Sequence, residues 1–169
     1  MIILNYRPDI KTGQENMLAL LFDMNKLWEE YVYRMLKRCE TKEIRVRGQE
    51  SKRFWKNKTI RPDSVVEYTS QGKPQTYIID TKWKIIDTNE PSDADLKQMF
   101  VYNMYWSAGK SILLYPRNNK QQNVYGTYAE FKDSAQENSC QLAFADVLKA
   151  GRLNMEIGKE ILVLMGFEG

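Results

Sequence analysis

Residues 61–82 read RPDSVVEYTSQGKPQTYIIDTK, two runs rich in Val, Ile and Tyr (64–69 and 75–81) separated by Gln71, Gly72, Lys73 and Pro74. β-branched and aromatic runs on either side of a Gly/Pro turn predict a hairpin. Such a hairpin brings Asp63, at the mouth of its first strand, toward Asp80, Thr81 and Lys82 at the end of its second. Side chains alternate along a strand, so Asp80 and Lys82 share a face and Thr81 points away. Two carboxylates and one amine are thereby gathered at one end. An Asp-x-Lys alone is common by chance and also fits an ordinary surface pair; the preceding Ile78 and Ile79 argue instead for the end of a buried strand.

Upstream, Leu20, Leu21, Met24, Leu27, Trp28, Tyr31, Val32, Met35 and Leu36 recur at the three-and-four spacing of an amphipathic helix over 20–36. Residues 43–48 and 52–58 read as strands. Downstream, Ser92 followed by Asp95 resembles a capping box for a helix over 93–107, with Gly109 as its stop. Strands follow at 111–115, 124–131 and 141–144, with a polar loop over 118–123 and a closing helix over 152–165. The expected architecture is α/β, a mixed central β-sheet flanked by α-helices, in one domain spanning 1–169.

Composition narrows the chemistry. The 169 residues include no histidine, which excludes a Ser-His-Asp or Cys-His mechanism, a His-ligated zinc protease and a histidine base. Cys39 and Cys140 are too few for a disulfide framework or a thiolate metal site and read as buried free thiols. The longest apolar stretch, 161–165, is far short of a membrane span, and the first residues lack the basic and apolar regions of a leader, so a cytoplasmic location is expected. Charge is uneven: within 42–61, eight Lys or Arg stand against Glu43 and Glu50, which leaves the remainder acidic. A solvated face is the commoner meaning of such a run, but it also fits a polyanion partner.

With carboxylates, lysine and a hard metal as the remaining means, phosphodiester hydrolysis is the chemistry that the cluster suits. It calls for a cation that offsets charge developing on phosphorus and lowers the pKa of the attacking water, and oxygen ligands favour Mg²⁺, with Mn²⁺ able to substitute. Asp63 and Asp80 supply oxygens, the Thr81 carbonyl can add a third, and Lys82 can orient the water or offset transition-state charge. On the first helix Glu29 lies at the edge of the apolar stripe beside Asn25, Val32 and Leu36, whereas Glu30 falls in the polar arc. Glu29 is the candidate for a further ligand, with a capping or salt-bridge role of equal weight. Gln98 and Tyr102, four apart on the second helix, share a face and can reach a phosphate or the lysine, although packing is, taken alone, the commoner role for Tyr102.

Taken in order, Glu29, Pro62-Asp63, Asp80-Thr81-Lys82 and Gln98-x-x-x-Tyr102 resemble the PD-(D/E)xK nuclease superfamily, in the branch with a Gln-x-x-x-Tyr helix after the lysine. Residues 22–29, 61–63 and 79–84 look like McrC, the nuclease subunit of 5-methylcytosine-type restriction systems. The resemblance implies a restriction-endonuclease-like fold, Mg²⁺-dependent cleavage of double-stranded DNA, and an McrB-like AAA+ GTPase as partner. It also implies Asp63 and Asp80 as metal ligands, Lys82 as the catalytic lysine, Glu29 as an accessory acid, and Gln98 with Tyr102 as supporting residues. McrC-like proteins usually carry a further domain before the nuclease, and here only about twenty residues precede the helix. That domain is expected to be absent, and dependence on the GTPase does not follow from the resemblance. Relatives with an iron–sulfur cluster use four cysteines, which two cannot supply.

For the basic window, phosphate contacts are expected from several of Arg45, Arg47, Lys52, Arg53, Lys56 and Lys58, with Phe54 and Trp55 more readily packed beneath the sheet than stacked on bases. Cutting both strands with one site per chain favours a homodimer or a larger assembly. Two other readings compete: a non-catalytic DNA-binding or assembly subunit with the same fold, and a soluble α/β domain that binds another anion.

Overall fold

Strand pairing follows from which runs are apolar on both faces. In the computed structural model, which describes residues 23–70, 72–86, 90–118, 121–129 and 137–167, six strands form one sheet in the order β1-β4-β5-β6-β8-β7. These are β1 (Ile44–Gly48), β4 (Ser64–Ser70), β5 (Lys73–Thr81), β6 (Lys110–Pro116), β7 (Val124–Thr127) and β8 (Ser139–Ala145). β5, β6 and β8 run parallel, while β1, β4 and β7 pair antiparallel with their neighbours. The parallel centre is buried on both faces, as the near-continuous apolar runs of its strands require.

Ile78, Leu113, Tyr115, Leu142 and Phe144 face helix α2 (Asp93–Trp106), which contributes Met99, Tyr102 and Trp106. Tyr77, Ile79, Ile112, Leu114 and Ala143 face α1 (Met24–Lys37) and α3 (Ile157–Leu164). The α1 stripe buries Trp28, Val32, Met35 and Leu36, whereas Leu27 is exposed. Asp23 caps α1, its carboxylate accepting from the amides of Asn25 and Lys26. Leu20 and Leu21, expected in that helix, lie outside the described residues. Gly158 lets α3 approach closely: a Cβ there would stand 2.3 Å from the Met35 carbonyl oxygen.

The β4–β5 hairpin forms as expected, but its loop is shorter. Ser70 pairs with Lys73 around Gly72, which has φ 76°, and Pro74 lies within β5. β6 pairs with β5 only from Tyr77 onward, so Pro74 sits where the strand is an edge and its missing N–H matters least.

Three expectations are corrected. Residues 52–58 are not one strand but a separate hairpin, β2 (Lys52–Trp55) and β3 (Lys58–Ile60), with Lys56 at φ 48° in the turn. Helix α2 is stopped by Ser107 in the left-handed region rather than by Gly109. The start of the closing helix, expected from 152, is instead a hairpin of β9 (Leu148–Lys149) and β10 (Arg152–Leu153). Ala150 and Gly151, both at positive φ, make that turn. Phe131, expected at the end of the 124–131 strand, lies outside the described residues.

Candidate active site

The β4–β5 register builds the centre of the site. Ser64 pairs with Ile79, so one step further Asp63 stands opposite Asp80. Asp63 Oδ2 accepts from both the amide and the hydroxyl of Thr81, each at 2.7 Å. Thr81 thus faces away from Asp80 and Lys82, as the alternation demands, and fastens the neighbouring strand's aspartate. Asp80 is 3% exposed, and its Oδ2 lies 2.6 Å from Lys82 Nζ. That buried Oδ2 of Asp80 makes no hydrogen bond among the described residues, its contact with Lys82 being an ion pair.

Helix α2 begins beside the carboxyl ends of β5 and β6, the end at which ligands bind in open α/β sheets. Lys82 Nζ donates to Gln98 Oε1 at 3.2 Å, Gln98 Nε2 donates to the Tyr102 hydroxyl at 2.8 Å, and that hydroxyl donates to the Arg61 carbonyl at 2.9 Å. The chain of bonds therefore closes on the segment that carries Asp63. Ser92 caps α2 by accepting from the Asp95 amide at 3.2 Å.

Glu29 comes to the same end from α1. It is half-buried and accepts from Gln49 Nε2 at 2.6 Å, while the Gln49 amide donates to the Asp63 carbonyl at 3.0 Å. Glu30 instead pairs with Arg34 in solvent. The structure therefore brings Glu29, Asp63, Asp80, Thr81, Lys82, Gln98 and Tyr102 to one end of the sheet.

The crowding shifts the charges. Burial first, then the Asp63 carboxylate, push the Asp80 carboxyl up to about 6, against the pull of Lys82. Burial and then Asp63 also raise Glu29, against the Gln49 hydrogen bond. For Lys82, burial opposes the ammonium, but Asp80 and then Asp95 and Asp63 outweigh it and its pKa rises. The site thus holds a protonated lysine and carboxyls short of countercharge.

Asp95 was legible in the sequence only as a cap. It also lies 3.8 Å from Lys82 Nζ and 2.8 Å from Lys84 Nζ, and accepts from the Tyr115 hydroxyl at 3.4 Å. No spacing rule marks it, because its contacts come from strand ends distant in sequence. Gln49 is likewise placed by tertiary structure.

Of the basic residues, Arg47 is held by Glu50 and Glu67, and Lys52 is tied to α2 through the Tyr105 carbonyl at 2.8 Å. Arg45, Arg53, Lys56 and Lys58 are exposed and make no ion pair among the described residues. Among the described residues no group of three acidic or cysteine side chains converges as a metal cage, and no helix is long and apolar enough to cross a membrane.

A mixed six-stranded sheet with helices on both faces, and acidic residues and a lysine at adjoining strand ends, is a restriction-endonuclease-like fold. The chain belongs to the family described as McrBC 5-methylcytosine restriction system component, whose model matches residues 1–116. Among solved structures, it resembles a chain of the "Refined half-complex from tetradecameric assembly of Thermococcus gammatolerans McrB AAA+ hexamers with bound McrC". The TM-score is 0.61 at 20% identity over 85% of this chain, and the match covers 33% of that chain, about a third of its length. No curated protein matches the sequence.

Proposed function

We propose that this chain is a metal-dependent endonuclease of the PD-(D/E)xK type, cutting double-stranded DNA as the cleavage subunit of a modification-dependent restriction system. The observation that carries the reading is the placement of Asp63 beside Asp80 at adjoining strand ends, with the buried Oδ2 of Asp80 making no hydrogen bond among the described residues and a charged Lys82 next to it.

The donor set fits Mg²⁺. Mg²⁺ is usually bound through one or two carboxylates plus water and phosphate oxygens, so two aspartates suffice without a cage of three acids. Asp63 and Asp80 would hold the ion, the Thr81 carbonyl and Glu29 would be further donors, and Mn²⁺ would substitute. When bound, the ion supplies charge for the phosphate oxygens and acidifies the attacking water.

The chain's own residues do the rest. Thr81 fixes the Asp63 rotamer. Gln98 holds the Lys82 ammonium, and Tyr102 holds Gln98, so the lysine's charge is set in advance near the reacting phosphate, where it stabilises developing negative charge. Arg45, Arg53, Lys56 and Lys58 would take backbone phosphates.

The solved neighbour is a complex of McrB AAA+ hexamers with McrC, and an McrB-like GTPase is the partner we infer here. Plasmid cleavage in Mg²⁺ or Mn²⁺, with and without such a GTPase, tests the reading. Cleavage by the wild type and none by Asp80→Ala is the expected result; equal cleavage by both contradicts it. The intact Asp63, Asp80 and Lys82 set stands against a non-catalytic subunit, which calorimetry would reveal as an absence of Asp80-dependent Mn²⁺ binding.

A further inference from the structure

Between β1 and β4 the chain makes a detour. β2 and β3 pair with each other and with no strand of the main sheet. One side of this hairpin is fastened to α2: the Phe54 ring lies 5.8 Å from that of Tyr105, whose hydroxyl donates to the Phe54 carbonyl at 3.4 Å. Lys52 adds its bond to the Tyr105 carbonyl and lies over the Trp106 ring at 4.6 Å.

The register then shifts between Arg53 and Trp55, and Trp55 emerges 60% exposed. This overturns the expectation that Phe54 and Trp55 pack beneath the sheet. The Lys56 ammonium lies over the indole at 4.8 Å, and Arg53 and Lys58 flank it in solvent without a carboxylate partner among the described residues. An indole packed into a core would bury about 150 to 250 Å² of surface, which this one forgoes.

We propose that the β2–β3 hairpin is a DNA-gripping arm, in which Trp55 wedges between two base steps of the duplex while Arg53, Lys56 and Lys58 take the phosphates around it. The idea rests on the reading of the chain as a DNA nuclease and names the part that grips the substrate. Three observations carry it. The first is the anchoring, which presents the indole on a fixed support and so lowers the entropy lost on binding. The second is the charge around the ring: lysine is depleted at protein–protein interfaces, whereas cations around an aromatic face suit a nucleic acid. The third is reach. Asp63 lies five positions after Lys58, a span of at most about 17 Å, or roughly five base-pair steps along a duplex. One duplex can therefore lie on both the arm and the aspartates.

The test measures binding of a fluorescein-labelled mixed-sequence duplex to the whole chain by anisotropy, in EDTA and over a series of salt concentrations. Trp55→Ala is expected to weaken binding about tenfold, as the indole's contact with the base faces it parts is lost. It should leave the salt slope unchanged, and Trp55→Phe should restore most of the affinity. Arg53→Ala with Lys58→Ala should instead reduce the slope. Trp55 is exposed, so thermal melting of Trp55→Ala should match the wild type. Wild-type affinity in Trp55→Ala, or no DNA binding by the wild type at low salt, would overturn the arm. Binding in EDTA does not depend on the metal site. Loss of Asp80-dependent cleavage with a Trp55 effect intact would therefore sink the catalytic reading and leave the arm, and the converse would sink the arm alone.

Discussion

Asp63 and Thr81 are joined twice: one carboxylate oxygen of Asp63 accepts from both the amide and the hydroxyl of Thr81, at 2.7 Å each. The bonds tie the start of β4 to the end of β5 and leave the second oxygen of Asp63 for the site.

Thr81→Val keeps the amide bond and removes the hydroxyl. Stability should fall by about 1 kcal/mol, the net worth of one hydrogen bond, while cleavage or Mn²⁺ affinity should fall by about 10- to 100-fold, as for residues that orient a metal ligand. Chemical denaturation beside a metal titration separates the effects; equal, small losses in both would mean that the bond is only structural.

Tyr102→Phe removes the group that links Gln98 to the Arg61 carbonyl. Lys82 would keep its ion pair with Asp80 but lose part of its restraint. The expected outcome is a lower kcat with little change in KM, since the lysine acts on the transition state rather than in binding. Steady-state cleavage kinetics check this, and a rise in KM alone would argue for a role in DNA binding.

The Asp80 carboxyl, raised from 3.8 to about 6 by burial and by Asp63, makes a stability prediction whose sign is unusual for an aspartate. A carboxyl with a raised folded pKa favours folding while it is protonated. Its contribution is full below about pH 4 and is lost as pH rises through about 6. In EDTA at pH 7, Asp80→Asn should therefore stabilise the fold, on the order of 1 to 2 kcal/mol, with the unpaired Lys82 offsetting part of the gain. Urea denaturation across pH 4 to 7 measures it; a destabilised Asn variant at pH 7 would show that the pairing with Lys82 outweighs burial.

The sequence made the centre of this site readable and its surroundings only partly so. Asp63, Asp80 and Lys82 follow from strand alternation and one turn, and Gln98 and Tyr102 from helical spacing, because both periods are local. Glu29 followed from its place at the edge of an apolar stripe. Asp95 and Gln49 did not, since α2 and the β1–β2 connection meet the site only through packing. The hairpins at 52–60 and 148–153 were missed because Lys56 and Ala150 adopt positive φ, which neither residue type advertises. Trp55 looked like core from hydrophobicity alone; the register shift beside it sends it outward.

Gly158→Ala tests the packing of α3 on α1. Its Cβ would meet the Met35 backbone at 2.3 Å, where no side chain can swing aside. Helix propensity favours alanine, yet the overpacking should cost about 2 to 3 kcal/mol. A thermal melt at or above that of the wild type would show that the helices separate freely.

The most direct measurement is an anomalous difference map from crystals soaked in Mn²⁺. The account predicts one peak between Asp63 and Asp80, within coordination distance of both and absent in Asp80→Ala. A peak elsewhere, or none at these carboxylates at saturating Mn²⁺, would contradict it.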